Sequence, residues 1–475
     1  MTTAVPSLPL WRRGALGEPG FARYLTAMLQ GATGYWIARI AQDWLLLKLT
    51  GDVSAVGIAA ALQFGPILIF GLWGGVLADK FNVRGLVAAA QLLQASGAFA
   101  VGAMALAGLV EPWHVYAAAT VTGLSAVVEQ PARSSMIVQL SGRHIAQGLS
   151  MNSIAFQAAG FWSPPVSAAI VAASGPGIAF IINGLGCCIT AALVFRSPTA
   201  DPRPRDAGER VTLRDGLRTI RETTEIGWTM VLLACVSLLG LAMPLVFAGM
   251  ANTVFNTGIP GYSLFNSVMA VGCAAGSLLA GRTRGKARLR HLVLLLGTSS
   301  ALIAIGSQAP NAYVYAALVI VHSVTITLFQ LLSQALVQMS VDPVARGRVM
   351  GLYLLIAFGG MSVSQPVVGK VVDTIGARET QFVLACLMAV GTALAALAIG
   401  RFTGQKVRVD RRGLRIQEPD VPRFVRIALQ DAGAAIERAS ETVDRAEKAP
   451  RRPVPMPTQA DQQRQFDTSS PQTPA

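Results

Sequence analysis

From about residue 22 to residue 400 the apolar residues of this chain fall in runs near twenty long, separated by short polar gaps. A helix needs ~20 apolar residues to cross ~30 Å of hydrocarbon. The runs at 22–48, 54–78, 86–109, 113–133, 148–173, 177–196, 227–252, 261–281, 291–309, 312–335, 349–373 and 379–400 therefore predict twelve spanning helices. Glycine and proline inside several runs are compatible with this, because neighbouring helices re-satisfy the freed backbone groups.

The gaps alternate in charge. Gap 79–85 holds Lys80 and Arg84, gap 134–147 holds Arg143 with Arg133 at its edge, and gap 336–348 holds Arg346 and Arg348. Gap 197–226 carries Arg203, Arg205, Arg210, Arg214, Arg218 and Arg221, and gap 282–290 carries Arg282, Arg284, Lys286, Arg288 and Arg290. Gaps 110–112, 174–176, 253–260 and 310–311 hold no Lys or Arg. Basic residues collect on the cytoplasmic side, so every second gap and both termini are expected there. Trp44 and Trp113 at outer boundaries and Trp228 at an inner one fit the interfacial preference of indole.

The chain also repeats itself. At an offset of 199, nine pairs match between 138–163 and 337–362, among them Gln139/Gln338, Gly148/Gly347, Met151/Met350 and Gly160/Gly359. That offset equals six spans and predicts two six-helix halves in the same orientation. The expected plan is a cytoplasmic N-terminus (1–21), a first bundle (22–196), a basic linker (197–226), a second bundle (227–400), a cytoplasmic tail (401–448) and a disordered end (449–475). In the tail, 406–417 alternates as a small hairpin. Residues 421–446 place Phe424, Ala428, Ala432, Ile436 and Val443 on one helical stripe, for the membrane surface, the protein's own loops or a partner.

Composition narrows the function. Charged residues make up 13% of the chain, against about 25% in a soluble domain. The net charge of +14 lies in the gaps and the tail without an aromatic-interleaved patch, which argues against nucleic acid. Residues 1–20 hold Arg12, Arg13, Pro6, Pro9 and Pro19 but no apolar core, so no cleavable signal is expected. Cys187, Cys188, Cys235, Cys273 and Cys386 all lie in apolar runs without metal-ligand spacing and read as packing residues. No Walker lysine loop, zinc-protease helix or nucleophile elbow appears, so neither an enzyme nor a bound cofactor is expected.

The stretch Gly75-Val76-Leu77-Ala78-Asp79-Lys80-Phe81-Asn82-Val83-Arg84 resembles the signature loop of the major facilitator superfamily, between its second and third helices. The resemblance spans roughly residues 20–400 in layout. It implies an all-α membrane fold of two pseudo-symmetric six-helix halves that alternate access to a central site. Asp79 would meet the N-terminus of the eleventh helix, near Arg346 and Arg348, and hold the cytoplasmic side shut. Gly75 would let two helices approach closely, and Asn82, in place of the loop glycine, can adopt a left-handed conformation. Val83 replaces a basic residue of the signature, and the second-half counterpart 276–282 lacks the acid.

Gly160-Phe161-Trp162-Ser163-Pro164-Pro165 resembles the antiporter motif of proton-coupled exporters, with Ser163 in place of a glycine. An ordinary kinked helix is the competing reading. Trp36–Leu45, Gln130–Arg133 and Ala345–Gly351 resemble the drug:proton antiporter branch that includes enterobactin and macrolide exporters, the transmembrane secretion effectors. That branch also contains a lysophospholipid flippase.

Charge inside a span is a functional candidate. Arg39 and Asp43 share a face of the first span, and Glu129 and Arg133 share one near the inner end of the fourth. Each pair reads either as a proton-coupling site or as a structural ion pair, the second one closing an inner gate. Lys370 either lines the cavity or snorkels outward, and His322 reads as a packing residue ahead of a proton relay. The leading expectation is proton-coupled efflux of small amphipathic molecules by a monomer in the cell membrane, with protons and the bilayer as its other partners. A lipid flippase or an uptake symporter is the alternative, and a membrane enzyme or scaffold the weakest.

Overall fold

The computed structural model describes residues 14–18, 20–197, 223–282, 288–341, 346–403, 407–410 and 413–416. The linker arginines, the amphipathic stripe of the tail and the C-terminal end lie outside the described residues. Among the described residues twelve long helices follow one another. The first six are α1 (Phe21–Thr50), α2 (Val53–Lys80), α3 (Val83–Leu106), α4 (Pro112–Leu140), α5 (Ile145–Ser174) and α6 (Pro176–Phe195). The last six are α7 (Thr224–Val254), α8 (Gly258–Arg282), α9 (Leu289–Ser307), α10 (Ala312–Ser340), α11 (Arg346–Ile375) and α12 (Ala377–Thr403). Ten are long and apolar enough to cross a membrane; the other two, α1 and α4, are those that carry the charged pairs.

Local chemistry sets the helix ends. Gly51 ends α1 in the left-handed region (φ 77°), where a side chain would be strained. Asn311 starts α10 by accepting from the N–H groups of Tyr313 and Val314 at 3.1 and 3.0 Å. Glu111 and His114 form a reciprocal box at the start of α4. Asn82 is extended (φ −63°, ψ 119°), not left-handed, and its Oδ1 accepts from Arg84 N at 3.0 Å. A short loop into α3 needs a cap at that position more than it needs a reversal.

Two expectations change in shape. The seventh run is one span in the sequence, but α7 is broken into Thr224–Cys235 and Met243–Gly249 by π-helical turns at Val236–Gly240 and Met250–Val254. Pro244, at the start of the second piece, lacks the N–H that would continue the ladder. The fourth run was expected to stop near Arg133, yet α4 continues to Leu140. Polar residues beyond an apolar run can remain helical once they leave the hydrocarbon.

The first six helices pack mainly on each other, α1 against α5 and α6, α2 against α4, and α3 against α4 and α6. Among the last six, α8 and α9 pack on α10. Two seams dominate the packing between the sets, α2 with α11 and α5 with α8. The repeat is visible in length, since α4 and α10 both have 29 residues and α5 and α11 both have 30. Phe247, Phe255, Phe265 and Tyr315 form an aromatic knot in the last six helices, with Phe265 and Tyr315 centroids 4.8 Å apart.

The α2–α11 seam is shut at one end and open at the other. At the Val53 end, the N–H groups of Val53 and Ser54 donate to Oδ1 and Oδ2 of Asp373 at 2.7 and 2.9 Å. Asp373 thus caps from α11 the free N-terminus of α2, where the helix dipole favours an anion. Gly57 lies against the Gln365 carbonyl with no room for a Cβ. Ser362 donates to Ala61 O at 3.2 Å, and Phe64 stacks on Phe358 at 6.1 Å. Towards the Lys80 end the helices part around a crevice of about 270 Å³ that Gly71, Gly75, Gln130, Gly351 and Leu354 help to line.

The chain divides into two units at Ile399–Gly400. The second unit contributes the hairpin β1 (Val407–Asp410) and β2 (Gly413–Ile416), antiparallel, with Val407 opposite Ile416.

Candidate functional site

Asp43 sits on the buried face of α1, 2% exposed. Arg39, one turn earlier, donates Nε to its Oδ2 at 3.0 Å. Arg39 also donates to Gln63 Oε1 of α2 at 2.5 Å. The same Oδ2 accepts from the Tyr262 hydroxyl of α8 at 2.7 Å. Asp43 is therefore held by its own helix and by a helix of the opposite six. Its Oδ1 is buried without a hydrogen-bond partner among the described residues. A buried carboxylate survives ionised only when paired and hydrogen-bonded, and this one is satisfied on a single oxygen.

The second pair has a different setting. Glu129 Oε1 meets Arg133 at 2.5 Å, while Gln91 and Gln94 of α3 donate to Oε1 and Oε2, each at 2.6 Å. Glu129 is buried, while Arg133 keeps 28% of its side chain exposed. The partners of Glu129 in this conformation all belong to the first six helices.

Between the two pairs lies a polar pocket of about 40 Å³, lined in part by Tyr35, Arg39, Gln42, Gln63, Gln94 and Asn183. Gln42 Nε2 is buried there without a partner among the described residues.

The α5–α8 seam contains the proline motif. Pro164 and Pro165 lie inside α5. Gly160 faces Trp36 and Ala270, whose atoms would stand 3.3 and 3.4 Å from an added Cβ. Ser163 is fully buried with its hydroxyl unpartnered among the described residues. Ser167 instead donates to Ile37 O at 2.8 Å and ties α5 to α1.

The signature loop is only partly drawn together. The side chains of Asp79, Arg346 and Arg348 lie outside the described residues. Lys80 is exposed. Arg84 donates to the Ser197 carbonyl at 3.2 Å and so fastens α3 to the end of α6. Gly75 has open space where its Cβ would be; the close approach is made by Gly74, whose missing side chain admits the Val127 carbonyl of α4. Gly75 instead borders the crevice, where α2 and α11 have separated. Lys370 is exposed on the stripe of Val363 and Val367, both 59% exposed. His322 is buried and shares a 2.9 Å hydrogen bond with Ser299, joining α9 to α10.

Tyr262, Gln91, Gln94 and Asp373 were not singled out by sequence. The glutamines had a signal, two amides three residues apart in an apolar run, which places both on one face. Tyr262 and Asp373 had none, since their partners are 219 and 320 residues away.

The family described as transmembrane secretion effector matches residues 15–418. A staphyloferrin A transporter from Staphylococcus aureus is 24% identical over 260 residues, covering 52% of this chain and 62% of that protein. The multidrug resistance protein MdtH of Yersinia enterocolitica is 31% identical over 90 residues, 19% of this chain and 20% of that one. The chain thus spans less than two thirds of the length of the curated relatives it matches. Among solved structures, the nucleoside transporter NupG superposes with a TM-score of 0.65 at 12% identity, over 80% of this chain and 98% of its own. A D-xylose-proton symporter superposes with a TM-score of 0.62 at 14% identity, over 79% and 96%. These likenesses are of fold.

Proposed function

We propose, for a chain that belongs to the transmembrane secretion effector family of the major facilitator superfamily, that it exports small amphipathic molecules in exchange for protons. In this reading the Lys80 end faces the cytoplasm, the Val53 end faces outside, and the conformation is inward-facing. Cargo enters by the crevice between α2, α4 and α11, whose apolar wall carries the Gln130 amide. The names of the relatives point to siderophores and drugs as cargo classes.

The observation that carries the proposal is Asp43, bound at once by Arg39 and by Tyr262 of the other half. An exchanger must not change state empty, or the gradient leaks. An ionised Asp43 latches the empty carrier with its outer side closed. A proton on Asp43 removes the charge that Arg39 and Tyr262 bind and frees the halves to part. Cargo that draws Arg39 away does the same, so either ligand permits the switch and neither is needed with the other.

Everted membrane vesicles containing the full chain test this. An acid interior should drive accumulation of some member of a panel of lipophilic cations, macrolides and siderophores, and a protonophore should abolish it. No pH-driven flux across the whole panel would overturn export. The apolar crevice also favours a second reading, lipid flipping, which fluorescent lysophospholipid in the same vesicles would reveal.

A further inference from the structure

We propose that protons travel inside the first six helices, from Asp43 through the polar pocket to Glu129, apart from the cargo route between the two halves. The inference rests on the reading of Asp43 as the proton-carrying group.

The pocket lies within one bundle. Its lining comes from α1, α2, α3, α4 and α6, and none of it from the last six helices. A water needs about 10–15 Å³ of such space and two to four polar partners, so 40 Å³ holds a few waters. A hydrogen-bond partner of each carboxylate lines it. Arg39 binds Asp43 and Gln63, and Gln94 binds Glu129. The Tyr35 side chain stands against Gln63. The buried Gln42 Nε2 is a donor with no protein acceptor among the described residues. Arginine and glutamine do not carry the proton here; they order the water that does.

The transfer balances as one proton moving. The O–H bond of the Asp43 carboxyl breaks towards a water beside Arg39, which borders the pocket where Asp43 itself does not, and successive waters pass on a proton. An O–H bond then forms on the Glu129 carboxylate. Asp43 is faced by Arg39 from its own helix, by Tyr35 and by Tyr262 of α8. Glu129 is faced by Arg133, with Tyr24 and Cys187 in electrostatic reach. Arg133 pairs with Glu129 one turn further towards the Lys80 end, the side to which the proton leaves. The sealed α2–α11 contact at Asp373 and Gly57 closes the Val53 end. In this proposal the pocket, and not the crevice between the halves, connects Asp43 with the opposite side.

The probe can be the proton itself, so no cargo need be known. In full-length protein in lipid nanodiscs under acidic buffer, the infrared carboxyl band that disappears in Asp43→Asn belongs to Asp43. Its shift on exchange into D2O times the contact of Asp43 with solvent. Ala98→Leu from α3 and, independently, Thr122→Leu from α4 fill the pocket without touching either carboxylate. Each should slow that shift by roughly tenfold or more, and Glu129→Gln should slow it too. Unchanged exchange in both filled, folded variants would show that Asp43 exchanges through the seam and would overturn the pocket route alone. If Asp43→Asn removes no band, Asp43 carries no proton, and the reading on which the route depends falls with it.

Discussion

The Tyr262 hydroxyl reaches Oδ2 of Asp43 at 2.7 Å across the line between the two six-helix sets. In the ionised state proposed for the latch, this is a hydrogen bond to a charged, buried group, the kind worth about 1.5–3 kcal/mol. Tyr262→Phe should keep the fold and shift the closed-to-open ratio at the Val53 end by roughly tenfold or more. Alkylation of a cysteine placed at Asn256, compared with and without the substitution, reads that shift. Equal alkylation rates would remove the latch from the mechanism. Asp43→Asn should go further and abolish pH-driven transport while leaving cargo binding in place.

Asp373 caps α2 from α11, so it stabilises only the closed Val53 end. Asp373→Asn retains one acceptor and loses the charge, a cost of about 1 kcal/mol. The expected result is a several-fold gain in alkylation at the same reporter with little change in thermal stability. A large drop in stability would mean that the cap holds the fold together and not the state.

Gly57 has no room for a side chain against the Gln365 carbonyl. Gly57→Leu should wedge the seam apart and hold the protein open at the Val53 end. Transport should fall while the protein still purifies as a folded species. The same substitution at Gly75, which meets open space, should leave this conformation undisturbed.

Glu129 and Arg133 depend on each other. Removing Arg133 leaves a buried carboxylate with only two amide donors, a loss of about 3–5 kcal/mol for a broken buried pair. Thermal unfolding in detergent should show Arg133→Gln strongly destabilised. The double variant with Glu129→Gln should recover most of that loss. If the double variant is no more stable than the single one, the pair is not the source of the penalty.

Much of the site was legible one helix at a time. Arg39/Asp43 and Glu129/Arg133 are four residues apart, and helical geometry alone makes them neighbours. Gly160, in the proline motif, sits between Trp36 and Ala270. Of two adjacent glycines, Gly74 is in a tight contact in this conformation and Gly75 is at the crevice. Adjacent glycines point about 100° apart on a helix, and composition cannot tell which of them faces a neighbour.

The sequence by itself determined the membrane fold and its repeat. Hydrocarbon forces long apolar helices, and the spacing of charge between them follows from the cost of burying it. The pairings between distant segments were decided only by tertiary structure, because they depend on which helix faces meet. Asp43 with Tyr262, Asp373 with the start of α2, and the pocket between Gln63 and Gln94 each need helices from separate parts of the chain. In a membrane nearly every helix face is apolar, so the sequence pattern carries little record of which faces touch protein and which touch lipid.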